Sequence, residues 1–418
     1  MNTSNSVIVI GAGASGLVAA GNASSLGAKV ILLEKMKRPG RKLLISGKGR
    51  CNITNIAQVN EFIPHFGKKG KFLYQAFNKF FSEDILSILE AENVLTITER
   101  GGRVFPKSGK SKDVVDALVK YALSNGVQIK YQSNVKGVIV ENKEVVGVEL
   151  LGKSGKEILK ANSVIIATGG ASYPLTGSTG DGYKMAISLH HKIVPLKPAL
   201  VPVETNDYSI INIGNLNLKN VKVSVFANDN RITEASGEMY FIDKCISGPI
   251  ILTLSKQIVE LLDNNKTVKL SIDLKPALNY LQLDKRLLRE FDENGKQYFK
   301  TILKGLLPQK LIPACIKQTK INEGKVGHQI TAEDRKRLLH WLKDFQFTIS
   351  RYRPISEAIV TSGGVDLKEV DPRTMESKLV KGLYFCGEVL DIDADTGGYN
   401  LQGAFSTGWV AGESSAIK

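Results

Sequence analysis

The chain has 418 residues, with 56 Lys and Arg against 41 Asp and Glu, giving a formal net charge of +15 and a pI near 9.4. That length suits two or three domains with a sizeable core, while the lack of any run of about eighteen apolar residues or of a secretory leader points to a cytoplasmic protein with no membrane partner. The lysines are spread along the chain in short clusters such as Lys68-Lys69-Lys71, without interleaved aromatics, which argues for a solvated basic surface and against a nucleic-acid partner.

The apolar run Ser6 to Ile10, bounded by glycine, predicts a buried parallel strand. Gly11, Gly13 and Gly16 follow in G-x-G-x-x-G spacing. The first glycine permits a tight turn, the second lets the backbone approach a pyrophosphate, and the third lets the next helix pack on the strand. That helix runs to about Leu26 with Gly27 as its cap, and a second strand, Val30 to Leu33, ends on Glu34. A carboxylate there suits a ribose 2'-hydroxyl and repels a 2'-phosphate. The whole arrangement predicts a dinucleotide site.

After Glu34, the glycine-rich basic loop KMKRPGRKLLISGKGRCNITN carries Gly40, Gly47 and Gly49 beside Arg41, Lys42 and Arg50. Its backbone amides can wrap an anionic, planar group. Cys51 and Asn52 close the loop; Cys51 has no base beside it and reads as a packed small residue. None of the four cysteines forms a C-x-x-C pair, which argues against a zinc site and against a redox-active disulfide. Residues 72–125 read mainly as helices around a hairpin at Thr98–Pro106, followed by strands near 127–131, 135–140 and 145–150. Ser163 to Gly170 repeats the strand-then-glycine signal, and Gly177 to Gly182 opens another helix.

The pattern changes near Pro195. Residues 195–272 alternate apolar and polar positions and predict antiparallel β structure. Residues 277–345 predict short helices broken at Pro308 and Pro313. These features divide the chain into 1–192, an inserted domain at 193–354 (β part about 193–274, helical part about 275–345), and 355–418. The final strand, Gly382 to Cys386, leads to Gly387, Glu388 and Asp391, and then to Gly397-Gly398-Tyr399-Asn400-Leu401 before a helix from Gln402 to about Ser414. Glu388 and Asp391 are candidate acceptors for ribityl hydroxyls. The N-terminus of that helix would stabilise negative charge on a reduced flavin pyrimidine. A plain NAD dehydrogenase has no need of this segment, so the expected cofactor is FAD.

The stretches GAGASGL, GRKLLISGKGRCNITN, GGRVFPKSGKSKDVVDAL, ATGGASYPLTGSTGDGY, SGGV and GLYFCGEVLDIDADTGGYNLQGAFSTGWVAG resemble the bacterial BaiN-like, or aminoacetone-oxidase-like, FAD-binding flavoproteins. The match runs in order from Val7 to Gly412. It implies FAD, an α/β fold of the two-dinucleotide-binding, Rossmann-like, glutathione-reductase type, and an insert made of a small β-barrel plus helices. It also implies that Gly11, Gly13, Ala14, Ser15, Gly16, Glu34, Lys35, Lys42, Gly49, Arg50, Cys51, Asn52, Val135, Ala167, Thr168, Gly169, Gly387, Glu388, Asp391, Gly398, Tyr399, Asn400 and Leu401 line the cofactor. One departure stands out: where members usually carry a Thr-His pair, this chain has Ile242-Asp243. Members act in amine oxidation and in bile-acid enone reduction, and the sequence does not choose between them.

The expected chemistry is hydride transfer between a small organic substrate and flavin N5, in a cleft between the two domains. No catalytic acid or base and no metal site is assigned. The chain has no second G-x-G-x-x-G, which leaves NAD(P)H as a transient electron donor at an irregular site. Two alternatives stay open: an RNA-associated flavoprotein using the basic surface, and a non-catalytic flavin-binding protein. Nothing in the sequence sets the oligomeric state.

Overall fold

The strand expected at the N-terminus, β1 (Ser6–Ile10), lies in the middle of a five-stranded sheet. In this computed structural model, which describes residues 5–152, 155–207 and 213–417, the order is Leu383–Phe385, Ser163–Ile166, β1, β2 (Lys29–Glu34) and Gln128–Tyr131. Every pair is parallel. Val7, Ile8 and Val9 are almost fully buried, as the continuous apolar run requires of a strand covered on both faces. Register decides the rest. Ile10 stands opposite Leu33 on one side and Ile166 on the other, and Ile166 stands opposite Phe385. Gly11, Glu34, Ala167 and Cys386 therefore leave the sheet at one edge, at the carboxyl ends of its strands, where open α/β sheets bind their ligands.

Two helices cover one another at that sheet. α1 (Ala14–Ser25) packs along the C-terminal helix Tyr399–Ala416. The approach is close because two glycines, one helical turn apart, face α1 backbone. A Cβ on Gly408 would lie 2.4 Å from the Ser15 carbonyl oxygen, and one on Gly412 would lie 2.4 Å from that of Ala19. Asn22 Nδ2 donates to the Trp409 carbonyl at 2.8 Å and fixes the pairing.

The hairpin expected at Thr98–Pro106 forms from Thr96–Glu99 and Arg103–Pro106, with Thr54–Asn55 as a third strand. The strands expected after residue 126 form as well, and Val135–Glu141 and Glu144–Gly152 are joined by a third, Gly155–Lys160, which was not anticipated. Four of that strand's six residues are charged or glycine, so it shows no apolar alternation.

The chain divides into two compact units, 1–199 with 355–418, and 200–354. Ile193–Ala199 pairs antiparallel with Val360–Val365 inside the first unit. The second unit holds a closed six-stranded antiparallel barrel: Val203–Thr205, Cys245–Ser247, Asn230–Ile242, Leu216–Ala227, Val268–Asp273 and Phe345–Tyr352. Val223, Val225, Phe241, Leu270 and Ile272 fill a core separate from that of the first unit.

Reading 195–272 as β structure alone missed the helix Pro249–Asp263. The signal was present: Pro249 occupies the first turn, and Ile251, Leu254, Ile258 and Val259 recur at helical spacing on the buried side. The expected break at Pro308 is real, whereas Pro313 begins a helix, Ile312–Thr319, where its missing N–H costs nothing.

Gly412→Val should destabilise the first unit by about 1–3 kcal/mol, because rigid backbone faces the new side chain. Its thermal midpoint should fall by about 2–4 °C per kcal/mol; an unchanged midpoint would refute the close packing.

In the second unit, burial alone would raise the Asp334 carboxyl, but the Lys325 ammonium at 2.7 Å, the Thr331 backbone amide and Arg337 outweigh it and bring it down to about 2. A folded-state value below the unfolded one means stability that is present near neutrality and fades as pH falls from about 4 towards 2. Asp334→Ala should lower the unit's midpoint at pH 6 and matter progressively less in melts below about pH 4.

Candidate functional site

The three glycines of the first turn do different work. Gly11 donates to the Leu33 carbonyl at 2.8 Å with φ +103°, and a Cβ there would sit 2.6 Å from the Ala167 oxygen. A Cβ on Gly16 would sit 1.9 Å from the Gly11 oxygen. Both positions are required by the fold itself. A Cβ on Gly13 would meet no protein atom within 4 Å. Gly13 also caps α1 without a side-chain hydrogen bond, and the first turn carries no acidic residue, so the Ala14 and Ser15 amides start a helix whose positive end is unmasked.

Glu34 lies beside this turn, 9% exposed. Its Oε2 accepts from the Ala12 amide and its Oε1 from the Met36 amide, both at 2.8 Å. Ser15 Oγ donates to the Cys386 carbonyl at 3.4 Å, and a Cβ on Gly387 would lie 2.4 Å from that hydroxyl. The first and last motifs, more than 370 residues apart, therefore touch. Ala167 donates to the Ile10 carbonyl at 2.9 Å, which brings Ala167, Thr168 and Gly169 alongside. The Thr168 hydroxyl is buried with no hydrogen-bond partner among the described residues. Ser133 donates to the Glu34 carbonyl at 2.9 Å, which sets Val135, itself buried, just past the end of β2.

The basic loop splits in its behaviour. Gly40 donates to the Ala12 carbonyl at 2.8 Å and anchors it. Lys35 pairs with Asp181 and with the Thr179 hydroxyl, each at 2.5 Å. Lys42 binds both Glu388 oxygens, at 2.6 and 2.9 Å, and the Ser172 hydroxyl at 2.6 Å. Glu388 also accepts from the Thr361 amide at 2.8 Å and from Ser172 at 3.1 Å. Arg50 turns to the hairpin, pairing with Glu99 at 2.5 Å and lying 4.3 Å above the Phe105 ring; its hydrogen bond holds the Glu99 carboxyl below the usual range.

Gly49 has open space where a Cβ would stand. Cys51 is fully buried and burial pushes its thiol up to about 11, so it is a packed residue and no nucleophile; Cys386 is pushed up to about 12 in the same way. None of the four cysteines forms a disulfide. The Asn52 amide accepts from the Gly398 N–H at 2.9 Å and donates to the Thr54 carbonyl at 3.2 Å, joining the loop to the C-terminal turn.

At that turn, a Cβ on Gly398 would lie 2.3 Å from the Thr54 oxygen. The helix starts at Tyr399, earlier than the sequence suggested. Tyr399 stacks on His65 with centroids 3.8 Å apart and meets Phe62 edge-on at 4.6 Å. Asn400 ties down the preceding irregular segment by accepting from the Ala394 amide at 2.9 Å and donating to its carbonyl at 2.9 Å, while Leu401 packs on the core. Asp391, 7% exposed, pairs with Lys69, and Lys69 also reaches Asp393 at 3.4 Å.

Sequence reasoning missed Lys69, His65 and Asp395. The signal lay in the alternation of Asp391, Asp393 and Asp395 set against a basic pair four residues apart, His65 and Lys69. Among the described residues no cluster of His, Cys, Asp or Glu could hold a metal, and no helix is long and apolar enough to cross a membrane.

Residues 5–414 match the family model described as HI0933-like protein Rossmann domain. The chain is 30% identical over 414 residues to a 3-dehydro-bile acid delta(4,6)-reductase of Clostridium scindens, covering 99% of each chain. It is also 30% identical over 408 residues to a ribosomal RNA dihydrouridine synthase of Haemophilus influenzae, covering 96% of each. Among solved structures, the open conformation of a flavocytochrome c3 fumarate reductase matches with a TM-score of 0.54 at 19% identity, over 99% of this chain and 78% of that one, a likeness of fold alone. The resemblance read from the motifs is thus a family membership: this chain belongs to the HI0933-like family of FAD-dependent oxidoreductases.

Proposed function

We propose that this protein holds FAD at the carboxyl edge of its parallel sheet and passes a hydride from flavin N5 to an activated double bond of a small organic substrate. The observation that carries the cofactor reading is the bare Gly13 backbone at an uncapped helix start, with the Glu34 carboxylate and Gly387 beside it. A diphosphate suits the Gly13–Ser15 amides, and a ribose suits Glu34. The orphaned Thr168 hydroxyl offers a further hydrogen bond on the same edge. Gly49 and Asn52 lead to the C-terminal turn, where Asp391 takes a ribityl hydroxyl and Gly398–Leu401 faces the pyrimidine ring. Lys35, Lys42, Arg50, Val135, Ala167, Gly169 and Glu388 complete the lining, with Glu388 holding Lys42, and the fully buried Cys51 packs behind it.

Bound FAD supplies the two-electron chemistry, and the chain supplies orientation and the positive helix end. The direction of reaction rests on the relatives, a reductase and a dihydrouridine synthase, whose names both describe adding hydrogen to the substrate. A reduced nicotinamide serves as a transient electron donor.

A second reading has an observation of its own. The helical part of the insert, residues 275–343, carries 15 Lys and Arg against 7 Asp and Glu, a net +8 of the chain's +15. With an RNA-modifying relative at 30% identity, that concentration favours an RNA substrate held by the insert.

Gly13→Val and Asp391→Ala should each lose FAD while keeping the far-UV circular dichroism of the wild type. Loss of one charge-assisted hydrogen bond at Asp391 should weaken FAD by about 1.5–3 kcal/mol, roughly tenfold to a hundredfold. Asp243→Ala in the insert should keep its flavin. Full flavin in Asp391→Ala with loss in Asp243→Ala would overturn the assignment.

Anaerobic photoreduction followed by mixing with oxygen, NAD(P)+ or a conjugated enone separates the directions. Reoxidation fastest by the enone is expected, and fastest by oxygen would make the protein an oxidase. Tight binding of ribosomal RNA that falls steeply with salt, and falls further on reversing charges in 275–343, would move the substrate to RNA.

A further inference from the structure

His65 is placed to move a proton. It lies in the short turn Ile63–Lys69 and meets Asp395 twice. Its backbone carbonyl accepts the Asp395 N–H at 3.2 Å, and its ring Nδ1 lies 2.9 Å from Asp395 Oδ2. An ionised carboxylate can only accept, so Nδ1 carries the hydrogen and Nε2 is left as the working nitrogen.

The ring is held on a third side by Tyr399, stacked at 3.8 Å with planes 17° apart. Asp395 is itself fixed, since its carbonyl accepts from Asn400 Nδ2 at 3.2 Å. Both side chains keep contact with water, at 35% and 39% exposure, so a proton on Nε2 can be replenished.

Tyr399 is the first residue of the C-terminal helix, directly after Gly397-Gly398. Of the five histidines, His65 is the one with a carboxylate partner among the described residues; His191 is buried against Ser377, and His328 bonds a backbone carbonyl. The charged and titratable groups around it are Asp395 and Tyr399 from the facing turn and helix, Glu61, Lys68 and Lys69 on its own side, and Asp391 and Asp393, both engaged by Lys69.

We propose that His65, oriented by Asp395, gives and takes the proton coupled to electron transfer at the C-terminal glycine turn. The proposal rests on the FAD reading above. Saturating a polarised double bond needs two electrons with one hydrogen on one atom, and a proton on the other. The charged imidazole gives its Nε2 proton to that second atom, remains neutral with Nδ1–H on Asp395, and regains a proton from water. In the reverse direction the Nε2 lone pair accepts the proton. Asp395 is a positioning residue, setting tautomer and ring plane.

The test begins by counting flavin per chain in wild type, His65→Gln and Asp395→Ala, and then follows the midpoint potential of the bound flavin across about pH 5–8, the range in which histidine titrates. Both proteins share the ionisation of the reduced flavin itself, and the wild-type slope should depart from that of His65→Gln by up to one further proton per two electrons. In 15N NMR of the chain without flavin, His65 should hold the Nδ1–H tautomer in wild type and a mixture in Asp395→Ala.

Superimposable profiles in wild type and His65→Gln, both full of flavin, would overturn the proposal alone. An Nε2–H tautomer in the wild type would do the same even if neither variant folds. A wild type that takes up no FAD would overturn the cofactor reading, and this proposal with it.

Discussion

The parallel register of four strands carries everything else in the first unit. With Ile10 opposite both Leu33 and Ile166, and Ile166 opposite Phe385, the residue that follows each strand arrives at the same edge. A one-residue slip in any pair would turn each side chain to the other face of the sheet and move that strand's end out of line with its neighbours. The site is therefore assembled by the core and needs no local folding of its own. Glu34 reaches the Ala12 amide, and Gly387 reaches Ser15, because Val7–Ile10 and Leu383–Phe385 have nowhere else to pack.

That constraint also sorts the glycines by what they serve. Gly11, Gly16, Gly408 and Gly412 all stand where a Cβ would strike backbone, so they answer to packing. Gly13 and Gly49 have open space around the missing Cβ; at Gly49 the left-handed backbone, φ +83°, already asks for glycine, whereas Gly13 has no such demand. Spacing alone marks Gly11, Gly13 and Gly16 as one motif; only the three-dimensional surroundings show that one of the three faces outward.

Much of the architecture was legible because its signals are local. Apolar runs, glycine turns and the acid that ends β2 lie within thirty residues of each other, and the alternation in 195–272 marks the region of five of the six barrel strands, the sixth, Phe345–Tyr352, lying beyond it. What escaped was either masked or distant. The helix Pro249–Asp263 was hidden inside a segment judged by its flanking alternation, and Gly155–Lys160 is a strand of charged residues that pairs only because its neighbour Glu144–Gly152 is already placed. Lys69 belongs to a cluster that reads as solvated surface, and no local pattern says that one of its members turns to Asp391, 322 residues away. His65 was passed over for the same reason: its partner is 330 residues further along the chain.

The carboxylates of the C-terminal segment differ in what remains of their hydrogen-bonding capacity, and this bears on their roles. A carboxylate offers about four lone-pair sites. Glu388 places Lys42 on both oxygens and adds the Thr361 amide and the Ser172 hydroxyl on Oε1, so that oxygen is filled by protein while Oε2 holds the lysine alone. Asp395 has its ring partner on a single oxygen and sits 39% exposed, so protein and water share it. Glu388 fixes geometry within a partly buried network, while the half-exposed Asp395 can follow a change of charge on its histidine. In the irregular segment that follows, Asp391 and Asp393 are buried together with Ile392 and Ala394 and are engaged by Lys69, so Asp395 is the acid of that stretch left half-exposed on its histidine.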